Sequence, residues 1–314
     1  MEKIAVGISS CLLGEKVRYD GGHKHDHYIT DTLGRFFSFV PVCPETEYGL
    51  PVPREPMHLA GNVEDPRLVT IHTGIDHTEG MKRWAEKKLE QLAVMNISGF
   101  IFKTRSPSSG MRGIPVWREG KQPVYAGVGI FAGAFMKRFP FIPVEDEGRL
   151  HDPALRENFI ERIFVLKRWL EMTGKAASLN DLIEFHTRHK LLVMAHSPKH
   201  LSLLGKIVAN AKDCAPATLS SYLVTLMAGL RLIATIKKNK NVLDHIMGYF
   251  KKNLDHNEKK ELIEIIAEYH HGYIPLIVPV TLLNHYVLKY HQEYLAKQYY
   301  LNPHPVELML RNHV

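Results

Sequence analysis

Apolar residues in the first half of the chain fall in short runs, separated by polar stretches rich in glycine and proline. Residues 4–8 (IAVGI) form one run, ending in Ser9-Ser10-Cys11. Residues 36–43 (FFSFVPVC) form a second, closed by Pro44, and residues 99–103 (GFIFK) a third, closed by Arg105-Ser106-Pro107. Residues 141–144 (FIPV) form a fourth. Short, continuous apolar runs of this kind predict strands buried on both faces. Between the second and third runs, Met81, Trp84, Ala85, Leu89, Leu92 and Met95 recur three and four apart, which predicts a helix within residues 76–95. Strands alternating with a helix predict an α/β domain with an open, mostly parallel sheet.

From about Asn158 onward only helical periodicity remains, over residues 159–172, 179–194, 200–211, 219–237, 242–251, 259–270 and 279–290. Ser178, three residues ahead of Asp181, has the spacing of a helix N-cap, where a hydroxyl takes a free N–H of the first turn. The change of character falls near residues 147–155, a charged stretch with glycine and proline. This reading gives an α/β domain over residues 1–155 and an all-helical domain over residues 156–314.

A length of 314 residues suits two domains. With 45% hydrophobic and 23% charged residues, the chain is neither disordered nor collagen-like. Three cysteines exclude a disulfide-rich secreted scaffold. The N-terminal apolar stretch is too short to span a membrane and has no signal-peptide flanks. A cytoplasmic protein with reduced thiols is the expectation. The formal charge is +7. Residues 1–155 hold 19 basic and 19 acidic side chains, and residues 156–314 hold 21 and 14, so the whole excess lies in the second half. A basic module facing a polyanion accounts for this, as does solubility charge spread over helices.

Three stretches that follow predicted strands carry chemistry: Cys11 in SSCLLG, Cys43 in PVCPETEYGLPVPRE, and KTRSPSSG from Lys103 to Gly110. In an open parallel sheet the carboxyl ends of the strands share one edge, where ligands bind. Two thiols there suit soft metals or iron–sulfur clusters, with Lys103, Arg105 or Arg18 to offset thiolate charge. Glu45 is placed to take or give a proton. Two buried core cysteines explain the same pattern. GVGIFAG at residues 127–133 lacks the order of a phosphate loop and reads as a close turn before a helix. His23, His25 and His27 read as a solvated polar loop, and Cys214 as structural. In the second half, Arg188, Lys190, Lys199, Lys206, Lys237 and Lys238 are candidates for phosphate contact, with helix-end lysines that complement the dipole as the plainer account. Most aromatics between them have core spacing.

SSCLLGEKVRYDGGHK, PVCPETEYGLPVPRE, KTRSPSSGM and PVEDEGRLHDPALRENFIERIF, taken with FHTRHKLLVMAHSPKHLSLLGK and YHHGYIPLIVPVTLLNHY, resemble two-domain bacterial transfer-RNA 4-thiouridine desulfidases. In these, a thiouracil desulfidase-like domain precedes a helical domain that also occurs alone. The resemblance implies conversion of 4-thiouridine to uridine in tRNA without net redox change. It implies a [4Fe–4S] cluster held by three cysteines, whose open iron accepts the sulfur. Cys11 and Cys43 fall on two ligand positions, Glu45 on the proton-handling carboxylate, and Ser106 on a serine beside the substrate. No membrane or DNA partner is implied. The third ligand position holds Ser109 where the family has cysteine, and a hydroxyl is a much poorer iron ligand. An introduced substitution, a divergence to a non-catalytic tRNA-binding protein, and alkoxide ligation in a weaker site all remain open. A desulfidase of free thiopyrimidine bases or nucleosides is a further alternative.

Overall fold

The computed structural model describes residues 2–313. The chain parts into two compact units, the first ending at Asp152 and the second beginning at Pro153, where the expectation from sequence put the boundary at residue 155.

The first unit contains β1 (Ile4–Ser9), β2 (Phe37–Val42), α1 (Pro44–Glu47), β3 (Met57–Gly61), β4 (Pro66–Thr70), α2 (Thr78–Ala93), β5 (Phe100–Phe102), β6 (Ile114–Arg118), β7 (Lys121–Gly127), α3 (Ile130–Arg138) and β8 (Val144–Asp146). Strands β2, β1, β5 and β8 lie in that order in one sheet, with every pairing parallel. Val6, Ile8, Phe100, Ile101 and Phe102 are fully buried, as continuous apolar strands covered on both faces should be. Helices α2 and α3 pack with this sheet through Ala85, Leu89, Leu92, Phe131 and Phe135. Phe100 stacks on Phe102 at 4.3 Å and meets Phe135 at 4.7 Å, each such aromatic pair adding roughly 0.5–1.5 kcal/mol to simple burial.

A second four-stranded sheet, in the order β4, β3, β6, β7, was not expected from the sequence. Its β3–β6 pairing is parallel and the two outer pairings are antiparallel. Strand β4 is mostly buried but only five residues long, the others are half exposed, and Pro66, Pro115 and Pro123 fall in three of the four, so neither a continuous apolar run nor strict alternation marks them. Inward-facing Leu59, Leu68, Ile114 and Val116 pack with Met81 of α2 into a small core of their own.

The second unit consists of α4 (Pro153–Thr173), α5 (Leu179–His196), α6 (Pro198–Asn210), α7 (Pro216–Leu230), α8 (Ile236–Tyr249), α9 (His256–His270), α10 (Ile277–Lys289) and the short α11 (Glu293–Ala296). The predicted cap at Ser178 is a full capping box: the Ser178 hydroxyl accepts from the Asp181 N–H, and the Asp181 carboxylate accepts from the Ser178 N–H. The single helix expected over residues 219–237 is broken. Helix α7 ends at Leu230, and Thr235 caps a new helix by accepting from the Lys238 N–H. Lys237 and Lys238 therefore occupy the first turn of α8 and not a C-terminal turn, so the helix-dipole account of them fails. Among the described residues no helix is long and apolar enough to cross a membrane.

Candidate functional site

A cavity of about 690 Å³ opens at the carboxyl ends of β1, β2 and β5. Cys11, Cys43, Glu45, Ser106 and Ser109 all line it, so the side chains singled out in three separate stretches of sequence meet in one place. Cys11 sits in a single helical turn that follows β1 and is stopped by Gly14 at φ +93°, a left-handed conformation that glycine adopts without a Cβ clash. Cys43 follows β2 as the N-cap of α1, where Pro44 presets the first helical φ. The Cys43 N–H donates to Glu47 Oε1 at 2.9 Å, which fixes the turn that carries Glu45.

The third stretch is held by backbone contacts. The Lys103 N–H donates to Ser9 Oγ at 2.9 Å, which ties the end of β5 to the end of β1. The Lys103 ammonium pairs with Glu147 Oε1, and the Thr104 N–H donates to Glu147 Oε2 at 2.8 Å. Lys103 thus has a carboxylate of its own and is not a free counter-ion to a thiolate. Beyond it, the Ser108 carbonyl accepts from the Phe131 and Ala132 N–H groups at 2.9 and 3.2 Å, in the first turn of α3. A Cβ on Gly129 would come within 2.5 Å of that carbonyl. Gly129 of GVGIFAG therefore lets the start of α3 approach the serine loop, as a close backbone turn would.

Glu45 is the hub of the site. One carboxylate oxygen accepts from the Ser108 hydroxyl, and the other accepts from the Cys43 thiol at 3.5 Å. Arg54 lies 3.7 Å from that second oxygen and donates to the Val17 carbonyl at 3.0 Å. Ser106 Oγ is 3.0 Å from Ser108 Oγ and accepts from the Ser109 N–H at 3.1 Å. A continuous hydrogen-bonded path thus runs from Glu45 through Ser108 to Ser106. Burial pushes the Cys11 thiol up to about 11 and outweighs the nearby Lys103 ammonium. Burial, then the Glu45 carboxylate, raises Cys43. Both shifts favour the protonated thiol over the thiolate. Arg54 and Glu147 were not singled out in the sequence. Arg54 stands in the same PVPRE stretch that follows Cys43, but nothing in its spacing says that it faces Glu45.

Cys11, Cys43 and Ser109 all line the cavity, two sulfur-bearing side chains and one hydroxyl. Among the described residues no group of three or more His, Cys, Asp or Glu side chains forms a metal site. The histidine loop is occupied by its own contacts, with His25 3.0 Å from Thr30 Oγ1 and His27 3.3 Å from Asp31.

In the helical unit the basic candidates differ in their surroundings. Lys199, Lys206 and Lys237 are exposed, and Lys190 is half buried. The Lys238 ammonium donates to the carbonyls of His196 and Ile233 at 2.8 and 2.9 Å, joining the end of α5 to the start of α8. Arg188 lies over the ring of Tyr299, 4.6 Å from its centroid. Phe250, Tyr269 and Tyr286 are buried, in keeping with core spacing, whereas Tyr273 is exposed.

Two families match the chain: "2-thiouracil desulfurase" over residues 6–147, and "Protein of unknown function (DUF1722)" over residues 190–305. Uncharacterized protein YbgA of Escherichia coli (strain K12) is 29% identical over 153 residues, covering 48% of this chain and 90% of that protein. Uncharacterized protein YbbK of Bacillus subtilis (strain 168) is 33% identical over 108 residues, covering 33% of this chain and 71% of that protein. A solved structure of the [4Fe-4S]-dependent thiouracil desulfidase TudS is 34% identical, with a TM-score of 0.40, and covers 50% of this chain and 97% of that one. Through residues 6–147, the chain belongs to the 2-thiouracil desulfurase family.

Proposed function

We propose that the protein is a tRNA 4-thiouridine desulfidase that works with a [4Fe–4S] cluster. The observation that carries this reading is the convergence of Cys11, Cys43, Ser109, Glu45 and Ser106 on one cavity within the desulfurase part of the chain. The cavity has room for a cluster and offers the Cys11 and Cys43 thiols to hold it, with the weaker oxygen donor of Ser109 at the third position. A bound cluster would supply a soft Lewis acid toward a thiocarbonyl sulfur.

The chain's own residues do the rest. Glu45, close to the thiol of Cys43 and hydrogen-bonded to Ser108, holds or releases the proton that exchange of sulfur for oxygen requires. Ser106, at the far end of the same path, faces the cavity and is placed to orient the pyrimidine. Arg18, Lys24, Arg54 and Arg105 line the cavity against Glu45 and Glu55, a balance suited to a polyanionic substrate. The +7 carried by the second half supports an RNA grip there.

The test is anaerobic reconstitution of the protein and of Ser109→Cys with iron and sulfide. Iron content and the visible spectrum are read first, then loss of 4-thiouridine from tRNA by nucleoside chromatography. About four irons and sulfur removal in Ser109→Cys are expected. If Ser109→Cys leaves 4-thiouridine intact, the desulfidase reading is lost. The hydroxyl of Ser109 favours one second reading, a tRNA-binding protein without catalysis. It predicts salt-dependent tRNA binding indifferent to Cys11→Ala and Cys43→Ala, and no turnover in any reconstituted form.

A further inference from the structure

The helical unit holds a second cleft, of about 330 Å³, that the cysteine site does not use. Arg168 of α4, Arg188 of α5 and Tyr299 line it. The guanidinium carbon of Arg168 lies 3.8 Å from the centroid of the Tyr299 ring, and that of Arg188 lies 4.6 Å from the same centroid. Two like charges are thus gathered around one aromatic ring.

Each guanidinium keeps one buried nitrogen without a partner among the described residues. Arg168 gives Nη2 to the Pro303 carbonyl, but its Nη1 is buried with no partner among the described residues. Arg188 has a buried Nε without a partner, and its Nη1 comes only within 3.7 Å of Glu184. Burial lowers Arg168 to about 10 against the pull of Glu161 and Glu171, and the neighbouring Arg188 adds to the shift. Two like charges held around one ring repel each other, a cost that an anion bound between them relieves.

Carboxylates also border the cleft, but two have other partners. Asp181 accepts from the Ser178 N–H and hydroxyl at 2.8 and 2.6 Å, and Glu171 pairs with Lys167 at 3.5 Å. Among the described residues Glu184 is the carboxylate that pairs with Arg188, and its side chain is 64% exposed.

We infer that this cleft is a phosphate site, in which the forks of Arg168 and Arg188, braced on Tyr299, take a phosphate group of the RNA backbone. Planar guanidinium forks match a phosphate in a way that an ammonium does not. The identity of the phosphate as RNA rests on the tRNA reading above. The site itself rests on two guanidinium groups gathered around one ring at the wall of one cleft.

The test uses the full chain. Inorganic phosphate is titrated against chloride at equal ionic strength while the arginine Nε–H resonances are followed. tRNA affinity is then measured across salt concentrations for the parent, Arg188→Gln and Arg168→Lys. Saturable shifts at Arg168 and Arg188 are expected with phosphate alone. Arg188→Gln should weaken tRNA binding roughly tenfold and flatten the log–log salt slope by about 0.7–0.9. Arg168→Lys keeps the charge and loses the fork, so weaker binding at a nearly unchanged slope is its signature. Arg188 is partly exposed, so its variant carries the test even if Arg168→Lys fails to fold. No saturable shift with phosphate, and an unchanged slope in Arg188→Gln, overturn the site while leaving tRNA binding in place. Saturable phosphate shifts without any tRNA binding keep the phosphate site, as one for free phosphate, and remove the RNA reading instead.

Discussion

Glu45 has three neighbours of different chemistry: a hydroxyl that donates to it, a thiol at 3.5 Å and a guanidinium at 3.7 Å. Glu45→Gln keeps the shape and removes the proton-carrying oxygen. In cluster-loaded Ser109→Cys protein it should lower the rate of 4-thiouridine loss by about 10²–10⁴-fold. Retention of activity within a few-fold would assign the proton to another group. Ser108→Ala should act through Glu45, lowering kcat while KM stays nearly unchanged. A shift of the pH–rate profile in Ser108→Ala is the mark that separates this from simple loosening of the loop. Gly129 constrains the same loop from the other side. Gly129→Ala pushes a methyl into the Ser108 carbonyl, and a loss of about 1–3 kcal/mol in urea unfolding is expected.

Helix α5 brings together a cap, two buried histidines and Arg188 of the phosphate cleft. Ser178→Ala removes one arm of its capping box and should cost about 1 kcal/mol. His186 and His189 lie on its buried face, and His304 is held in the segment after α11. Burial lowers all three, to about 4, about 3 and about 4, from an ordinary 6.5. Nε2 of His189 and of His304 has no partner among the described residues, so an added proton there would find no acceptor. The folded values lie below the unfolded ones, so between about pH 6.5 and 4 the unfolded chain binds more protons. Stability is therefore undiminished by these groups above 6.5 and falls as pH drops through that window. The slope approaches about 1.4 kcal/mol per pH unit for each histidine. Urea unfolding followed by helical circular dichroism from pH 7 to 4 measures it. His189→Phe, which fills the same space without titrating, should flatten the slope by one proton.

The two units have separate interiors, one of sheets and helices and one of helices alone. Separate cores favour separate unfolding transitions. Calorimetry should resolve two, of which acidification to pH 5 lowers the helical one more, because His186, His189 and His304 all belong to it. A single transition moving as one would show that the units are thermodynamically coupled.

The parallel sheet, the helix beneath it and the all-helical second half were legible in the order of residues, because buried strands and amphipathic helices each leave a periodic mark. So was the pairing of Cys11 with Cys43 in one place, since the carboxyl ends of parallel strands share an edge. The second sheet left no such mark, because its short strands, three of them carrying proline, need only a few inward side chains. Partners remote in sequence were also invisible: Ser108 bonds to Glu45 across 63 positions, and Lys103 to Glu147 across 44. Arg188 stood out in the sequence as a basic residue in a basic helix. Only folding set it beside Arg168 around Tyr299 with donors unmet. Local periodicity is set by the contacts of a residue with its own element and its buried face. The partner of a charge is set by which distant elements the core brings together, and that depends on the whole packing.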